Sequence, residues 1–383
     1  MLKKLSDIYD IHLGCFIDDP FDEQFVTSLK SYCSSVFALS QHKTLAKIKG
    51  LKGLLTGEAI TLPYYFDKQM QSWAVDIVSQ QAINKVFVFS SSMAQYCEHE
   101  DFNPLTRIID FVDVDSDKWR QYANRKNGLA RWIFKREHRK LAAYENKICQ
   151  TFDHSLFVSS DEAALFRACQ PMVAFEKVHG VLNGVDIDFF DPQADFPCEA
   201  LVPSGPFICF TGAMDYWANV DAVVWFVDNV WPLVRSANPD AVFCIVGGNP
   251  GREVQALSVQ QGVVVTGRVY DVRPFICQAR CVVAPLRIAR GIQNKILEAM
   301  SLNKAIVATS MAMEGINAQP SDSVHITDDA KETAHFCNAY LEKHCVNSQK
   351  AQSNNRQWVI EHFTWGQTLQ PLEGFFSANK SDL

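Results

Sequence analysis

One short segment of the sequence collects polar side chains of the kind that bind phosphate groups. Residues 283–300 read VAPLRIARGIQNKILEAM, so an apolar run leads into a loop and then into a helical pattern. Cations beside a glycine at the start of a helix are typical of an anion site, because free backbone N–H groups and the helix dipole both favour negative charge there. The residues concerned are Arg287, Arg290, Gly291, Asn294, Lys295 and Glu298.

The helical part of this segment is amphipathic. Lys295 and Glu298 are three residues apart and share one flank of the helix. They form either a surface ion pair, worth roughly 0.3 kcal/mol, or a site in which cations bind a diphosphate and the carboxylate binds the vicinal hydroxyls of a ribose. We favour the ligand site. A second face of the helix is apolar, and its spacing predicts a stripe that packs against a sheet. The stripe consists of Ile292, Ile296, Ala299 and Met300.

Two other glycines directly follow apolar runs. In FTGAMDYWANVDA, Gly212 ends such a run, and Asn219 or Asp221 is placed to cap the next helix. The free N–H groups at that helix start either meet a phosphate or belong to an ordinary loop and cap. In TGRVYDV, Gly267 would let a flat base lie on the backbone, while Arg268 either contacts the nucleotide or is solvated.

These segments sit within a chain that alternates short apolar runs with amphipathic helical stretches, the pattern of parallel sheets covered by helices. The polar clusters follow strands, and ligands of open α/β sheets bind at the carboxyl ends of strands. A segment rich in Pro, Asp and Gly, residues 183–206, separates two such halves. The predicted strands are 11–17, 35–40, 85–90, 107–114, 155–159 and 177–182, then 207–212, 241–248, 263–267, 281–286, 304–310 and 324–327.

The first half departs from a doubly wound domain at its beginning. It opens with the helix-like MLKKLSDIY, and its first strand is followed by the acidic DDPFDEQ rather than by a glycine-bearing turn. The first strand of the usual order is central and ends in that turn. Since the sequence does not begin with such a strand and turn, we expect the first domain to lack that strand. We also expect the recorded start to lie about 25 residues downstream of it.

Composition excludes several other classes of protein. The chain has 383 residues, 48% of them hydrophobic and 21% charged, which is typical of a globular protein of two domains. Its formal net charge of -7 argues against nucleic acid as a partner. We find no signal peptide and no run of about 18 apolar residues that would span a membrane. The twelve cysteines include no CxxC and indicate reduced thiols in a cytoplasmic protein.

The segment RGIQNKILEAMSLNKAIVAT, residues 290–309, resembles the donor-site segment of the retaining GT-B glycosyltransferases of group 1, or family 4, type. In that family one Glu is followed after seven residues by a second Glu, then by a helix and a strand. Glu298 matches the second Glu, which holds the nucleotide ribose. Arg290 stands in place of the first Glu, which contacts the donor sugar, so the sequence departs from the family pattern there.

Other motifs of the sequence resemble the family linker and one subgroup of the family. NGVDIDFF, residues 183–190, is similar to the linker signature of the family. FTGAMDYWANVDAVVWF, GRVYDVRP and PLRIARGIQNK resemble one subgroup, the sugar transferases associated with exosortase and PEP-CTERM exopolysaccharide loci. The resemblance covers nearly the whole chain except the opening strand and its loop.

The resemblance implies a GT-B fold, in which two Rossmann-like domains of α/β type face each other across a cleft. We expect an acceptor-side domain at 1–190, a nucleotide-sugar domain at 191–360 and a C-terminal helix, 361–383, that packs back on the first domain. The implied reaction transfers a sugar from a nucleotide-diphosphate donor to a glycan or lipid-linked acceptor in exopolysaccharide biosynthesis, with retention of anomeric configuration. No cofactor and no metal are implied, because positive groups and helix dipoles would stabilise the diphosphate leaving group.

The resemblance also assigns roles to residues. Asp113, at the end of a first-domain strand, would stabilise positive charge developing on the donor sugar, and Arg290 would contact that sugar. The nucleotide-sugar is expected to bind to Gly212, Gly267, Arg268, Arg287, Gly291, Asn294, Lys295 and Glu298.

The stretch DVDSD, residues 113–117, supports no metal site. A DxD metal motif belongs to the other glycosyltransferase fold, and a calcium loop would need a glycine where Lys118 stands, as well as a closing Glu. We interpret Asp115 and Asp117 as solvated carboxylates that cap a helix.

Two basic stretches lie in the first half, ARWIFKREHRK at 130–140 and KTLAKIKGLKGLL at 43–55. Each is either a charged face of an ordinary helix or a surface that lies on the inner face of the cytoplasmic membrane, where lipid-linked acceptors are found. Two other functions stay open: a non-catalytic sugar-nucleotide-binding assembly partner with an incomplete acceptor domain, and an epimerase acting on the donor itself.

Overall fold

The computed structural model describes residues 1–170, 175–196, 199–289, 291–316, 318, 323–342 and 348–377. The chain forms two compact units: unit 1 is Met1–Leu182 with Leu369–Leu383, and unit 2 is Asn183–Thr368. Both are α/β, with parallel strands and intervening helices. A strand is found in each of the twelve predicted runs, because those runs carry the continuous apolar character of strands covered on both faces.

Unit 1 contains two parallel sheets. The pair β1 (His12–Ile17) and β2 (Ser35–Ser40) forms one sheet. The other has the order β3-β4-β5-β6, with β3 Lys85–Phe89, β4 Thr106–Asp110, β5 His154–Phe157 and β6 Val178–Gly180. In the described part of the chain no strand pairs β1 with β3, so the expected interruption of the sheet is present. Phe16 of β1 and Phe37 of β2 nevertheless pack on the core of the larger sheet.

The helices of unit 1 lie between these strands. They are α1 (Leu2–Leu5), α2 (Val26–Leu29), α3 (Lys43–Thr56), α4 (Thr61–Tyr65), α5 (Lys68–Gln80), α6 (Asp115–Asn124), α7 (Gly128–Thr151) and α8 (Ser160–Cys169). Short 3₁₀ helices span Pro20–Phe25, Ser91–Cys97, Glu100–Phe102 and Phe175–Lys177.

Unit 2 contains one six-stranded parallel sheet of the order β12-β11-β10-β7-β8-β9. This is the doubly wound order, in which successive strands are added on one side of β7 up to β9 and then on its other side from β10. The crevice at that reversal is where such sheets bind ligands. The strands are β7 (Phe207–Thr211), β8 (Val242–Val246), β9 (Val263–Gly267), β10 (Cys281–Ala284), β11 (Ile306–Ala308) and β12 (Val324–Ile326).

The helices of unit 2 cover this sheet. They are α9 (Trp217–Asn229), α10 (Trp231–Ala237), α11 (Arg252–Ala256), α12 (Arg273–Gln278), α13 (Asn294–Ser301), α14 (Ala330–Glu342), α15 (Ser348–His362) and α16 (Trp365–Thr368), with a 3₁₀ helix at Leu257–Val259. The last helix of the chain, α17 (Gln370–Ser377), belongs to unit 1. Its Phe375 ring centroid lies 4.5 Å from that of His154 and 4.3 Å from that of His179.

The units divide at 182/183 and 368/369, whereas the sequence placed the divisions at 190/191 and 360/361. The segment from residue 183 groups with unit 2 because its backbone is held there. The Val185 N–H donates to the Phe363 carbonyl at 2.7 Å, and the Arg356 guanidinium donates to the carbonyls of Ile187 and Phe190 at 3.0 and 2.7 Å.

The turns after β7 and β8 fit so closely that one position admits only glycine. The Gly247 N–H donates to the Gly267 carbonyl at 3.1 Å, and a Cβ on Gly247 would overlap with the carbonyl oxygen of Gly212. We expect Gly247→Ala to lower the stability of unit 2 by about 2 kcal/mol or more, because the backbone itself must move. Thermal unfolding should show a midpoint lower by roughly 4–8 °C. Gly251→Ala is the control, since a Cβ there has no atom within 4 Å; equal midpoints for the two variants would contradict this account.

Candidate functional site

The candidate site lies at the carboxyl ends of the strands of unit 2, at the reversal between β7 and β10. Gly212 follows β7, and the loop from Arg287 to Gln293 follows β10 and leads into α13. Helix α9 begins just after the Gly212 turn. Side chains of α9 and α13 therefore converge on one edge of the sheet, as the topology predicts.

Lys295 is the centre of this arrangement. It is only 9% exposed, and its ammonium donates to Asn219 Oδ1 at 2.6 Å and lies 4.3 Å from the centroid of the Phe210 ring. Burial lowers the pKa of Lys295 to about 7, although the Glu298 carboxyl opposes this by favouring the charged form. Within the described ranges no carboxylate forms an ion pair with this ammonium at 4 Å or less. A cation held in this way retains an attraction for an anionic ligand.

Glu298 lies three residues further along α13 and is partly buried. Burial raises the pKa of its carboxyl to about 7, and the Lys295 charge opposes that rise. Each group therefore acts on the other, because the Lys295 charge favours the carboxylate and the Glu298 charge favours the ammonium. A carboxyl beside a cation at a helix start suits a ligand that carries both an anionic group and hydroxyl donors.

Arg287 is already paired. Its guanidinium makes a two-point contact with the Asp221 carboxylate at 2.7 and 3.1 Å and lies 5.9 Å from the centroid of a ring of Trp225. Because about half of its side chain is exposed, this pair forms a solvated lip beside the buried lysine. Arg290 lies outside the described residues.

The remaining residues predicted around α13 have different environments. Asn294 is the exposed first residue of the helix, and Gly291 is buried with a left-handed φ of +61°. The predicted apolar stripe is confirmed, since all four of its members are buried: Ile292, Ile296, Ala299 and Met300.

The glycines after β7 and β9 serve different purposes. A Cβ on Gly212 would lie 2.7 Å from Asn219 Nδ2 and 3.1 Å from Lys295 Nζ, so glycine leaves the space that these groups need. Gly267 has a left-handed φ of +71° and open space around it. Arg268 is exposed and runs beside Gly248, where a Cβ would lie 3.4 Å from Arg268 Nε.

The expected helix caps on α9 are wrong. The helix begins at Trp217 with Tyr216 as N-cap and no side-chain cap, so Asn219 and Asp221 lie inside it. Asn219 instead donates to the Ala213 carbonyl at 2.9 Å and accepts from Lys295, while Asp221 accepts from Arg287. The sequence named Asn219 only as a helix cap and did not identify it as the partner of Lys295. Its only sequence signal is a polar residue next to the apolar segment of α9.

In unit 1, Asp113 follows β4 and forms an ion pair with Lys118 at 2.9 Å. The interpretation of Asp115 and Asp117 as helix caps is wrong, because α6 has Val114 as N-cap and no side-chain cap. Asp115 pairs with Lys118 at 3.1 Å, and Asp117 pairs with Arg120 at 2.5 Å.

Two buried glutamates hold the start of α6 instead. Glu145 accepts from the Ser116 N–H at 2.9 Å, and Glu162 accepts from the Val114 N–H at 3.0 Å. Burial raises the pKa of Glu145 to about 8, with the nearby Asp115 charge adding to the rise and the Ser116 hydrogen bonds opposing it. Both glutamates are distant from α6 in sequence, which is why the sequence did not identify them. The described residues contain no group of three or more His, Cys, Asp or Glu side chains that could hold a metal ion.

The strand order of unit 2 defines a doubly wound α/β fold, and comparison with solved structures shows the GT-B form of it. HepE of Anabaena, crystallised with UDP and glucose, aligns with 99% of this chain and 95% of its own at a TM-score of 0.65 and 13% identity. TarM aligns with 81% of this chain at a TM-score of 0.58 and 11% identity, and the alignment spans 58% of its length.

Residues 205–343, which lie within unit 2, match the family described as glycosyl transferases group 1. A Klebsiella pneumoniae protein described as an uncharacterized 44.6 kDa protein in the cps region is 23% identical over 179 residues. That alignment covers 45% of this chain and 44% of the relative. Together with the GT-B fold, the family match supports the prediction that the chain is a transferase.

The buried ammonium makes a prediction about stability. Since the folded state lowers the pKa of Lys295 to about 7 while an unfolded lysine titrates near 10.5, folding releases a proton between these values, and this term makes the wild type more stable as pH rises. Lys295→Met lacks the term. Relative to the wild type, the variant should therefore lose about 3 kcal/mol between pH 7.0 and 9.5, measured by urea denaturation. Lys331→Met, at an exposed lysine of α14, should show a pH-independent difference; the same flat profile for Lys295→Met would refute a buried cation.

Proposed function

We propose that the protein is a glycosyltransferase that moves a sugar from a nucleotide-diphosphate donor to a glycan or lipid-linked acceptor in exopolysaccharide biosynthesis, with retention of configuration. The observation that carries the proposal is the Lys295 ammonium, buried at the strand reversal without an ion pair to a described carboxylate. Support comes from the group 1 glycosyltransferase match over this region and from the fold shared with HepE, whose structure contains UDP and glucose. The cps region of the Klebsiella relative supports a role in surface polysaccharide.

In this proposal each part of the site meets one part of the donor. Lys295 and the start of α13, at Gly291 and Asn294, bind the diphosphate, to which the Arg287 lip adds positive charge. The carboxylate of Glu298 accepts hydrogen bonds from the ribose hydroxyls, and Gly212 leaves room for the phosphates to approach the backbone. Gly267 and Arg268 lie against the base.

The chemical step follows from the same charges. As the bond from the sugar to the diphosphate breaks, negative charge grows on the leaving phosphate, where Lys295 and the α13 N–H groups stabilise it. The predicted catalytic groups, Asp113 in unit 1 and Arg290 in the donor loop, would act at the sugar. No metal ion is part of the proposal.

Glu298 provides the test of donor binding. We expect Glu298→Ala to weaken UDP or GDP binding by at least about 30-fold, because two hydrogen bonds to a charged acceptor are lost. Titration calorimetry measures this, with Glu314→Ala on an exposed turn of unit 2 as the control. Unchanged affinity in Glu298→Ala would overturn the assignment of Glu298. With a donor that is turned over, NMR of the product reports the anomeric configuration, and inversion would overturn the retaining mechanism.

The two other functions give different results with the same samples. A non-catalytic assembly partner would bind the nucleotide-sugar and leave it intact in the presence of any acceptor. An epimerase would convert the donor with no acceptor present. Transfer that requires an acceptor selects the proposed function.

We further propose that unit 1 contacts an anionic membrane surface through α3 and the first half of α7. Helix α3 is unusual because its small residues Ala46, Gly50 and Gly53 are buried while four of its five large apolar residues are exposed. The exposed fractions are 57% for Leu45, 61% for Ile48, 57% for Leu51 and 90% for Leu55. An exposed apolar face of this kind marks an interaction surface.

Basic residues are exposed on both helices. Lys43, Lys47 and Lys52 on α3 are exposed, as are Leu129 and Trp132 with four cations on α7, Arg131, Lys135, Arg139 and Lys140. Arg136, counted with them in the sequence, is buried and donates to the Gly53 carbonyl at 2.7 Å, so it joins α7 to α3 instead. In the described part of the chain no helix is long and apolar enough to cross a bilayer.

Vesicle binding tests this surface. We expect Ile48→Glu/Leu55→Glu to reduce sedimentation with vesicles of phosphatidylglycerol by at least about tenfold, because two apolar side chains no longer enter the interface. Added salt should weaken wild-type binding, since the lysines act electrostatically. Val259→Glu, at an exposed residue of unit 2, is the control. Equal sedimentation of the double variant and the control would exclude α3 as the contact.

A further inference from the structure

Asn219 is a neutral partner of the buried ammonium. Its two contacts fix the orientation of its amide: Nδ2 donates to the Ala213 carbonyl at 2.9 Å, so Oδ1 must face Lys295, from which it accepts at 2.6 Å. Asn219 is itself buried, at 6% exposed. The amide therefore ties the turn after β7 to the lysine of α13.

The chemistry of this partner differs from that of an acid. An amide oxygen satisfies one donor of the ammonium and leaves its positive charge in place, whereas a carboxylate would neutralise that charge. The apolar side chains near Lys295 also leave its charge in place. Phe210 on β7 offers a ring face, and the neighbouring strands β10 and β11 contribute buried apolar residues.

Several charged groups of the described residues lie near α13. Among these residues, the charge that acts on Lys295 is that of Glu298, on the same helix. Arg356 of α15 contacts the far end of the helix, where it donates to the Ser301 carbonyl at 2.9 Å. Arg287 is held by Asp221 at the solvated lip.

We propose that Asn219 is a positioning residue that holds the Lys295 ammonium in place through a neutral acceptor, so that its charge stays available to an anionic group of the donor. This inference rests on the proposed function for the identity of the anion. Its geometric part, that Asn219 sets the position and protonation of Lys295, stands without any ligand. Nucleotide binding then depends on the protonation of Lys295.

The direction of the pH dependence follows from the environment of Lys295. Because burial lowers the pKa of Lys295 to about 7, the ammonium loses its proton above neutral pH in the free protein. Affinity for a diphosphate should fall there by up to about tenfold per pH unit. Removing the acceptor oxygen disfavours the charged form further, while a carboxylate in its place favours it.

Four variants test the proposal with UDP and GDP as probes. Asn219→Ala should weaken binding at pH 7 by about tenfold or more and move the fall in affinity to lower pH by about one unit. Asn219→Asp keeps an acceptor for Lys295, loses the donor to Ala213, and should move the fall to higher pH by about one unit. Asn229→Ala, an exposed asparagine on the same helix α9, should match the wild type. Lys295→Met should lose the alkaline fall altogether.

A second measurement needs no ligand. Selective ¹³C labelling of lysine allows the titration of the Lys295 side chain to be followed by NMR, with Lys295→Met to assign its signal. Its midpoint should fall in Asn219→Ala and rise in Asn219→Asp. Opposite shifts of this kind are not produced by a general loosening of the turn, which thermal unfolding of the same variants reports separately.

The outcomes distinguish the proposed function from the positioning role of Asn219. If the wild type binds neither UDP nor GDP while the Lys295 midpoint moves as expected, the proposed function fails and the positioning role stands. If the wild type binds nucleotide and Lys295→Met abolishes binding, but both Asn219 variants retain wild-type affinity, pH profile and Lys295 midpoint, the inference is overturned. Shifts in the same direction for Ala and Asp would also overturn it.

Discussion

The site in unit 2 depends on one constraint, which is that a lysine ammonium is buried without a neutralising ion pair in the described part of the chain. Removing a cation from water is costly unless other groups replace its hydration. Here an amide oxygen and a ring face replace part of that hydration, and burial lowers the pKa of Lys295. The glycine at 212 follows from the same constraint, because a Cβ there would displace both Asn219 and Lys295.

The fold explains why this cation is in a useful place. The order of the six strands sends the chain in opposite directions from β7, so the loops after β7 and β10 separate and leave a crevice between them. Helix α13 brings Lys295 to that crevice, and its apolar stripe fixes the rotation of the helix by packing against the sheet. The stripe therefore determines which flank of α13 carries Lys295 and Glu298 toward the ligand.

Sequence reasoning predicted the features that depend on local periodicity. The twelve strand segments and the α13 stripe repeat at spacings that the backbone imposes, so their positions follow from a few consecutive residues. The partners of polar side chains did not follow in this way. Asn219 and Lys295 are 76 residues apart. The Thr61 N–H at the start of α4 donates to the Glu137 carboxylate at 2.9 Å across the same separation, and nothing local distinguishes a helix cap from such a long-range hydrogen bond. Arg136 shows the same limit, because a basic run does not reveal which of its members turns inward.

The two units depart from ordinary folding rules in opposite ways. Unit 2 buries a charge that would be more stable in water, while unit 1 exposes on α3 the large apolar residues that would be more stable inside. Folding alone favours neither arrangement, and departures of this kind are expected at functional sites. In the proposed function, the diphosphate of the donor compensates Lys295, and an anionic membrane surface covers the apolar face of α3. The proposed reaction, where its acceptor is lipid-linked, would therefore account for both departures.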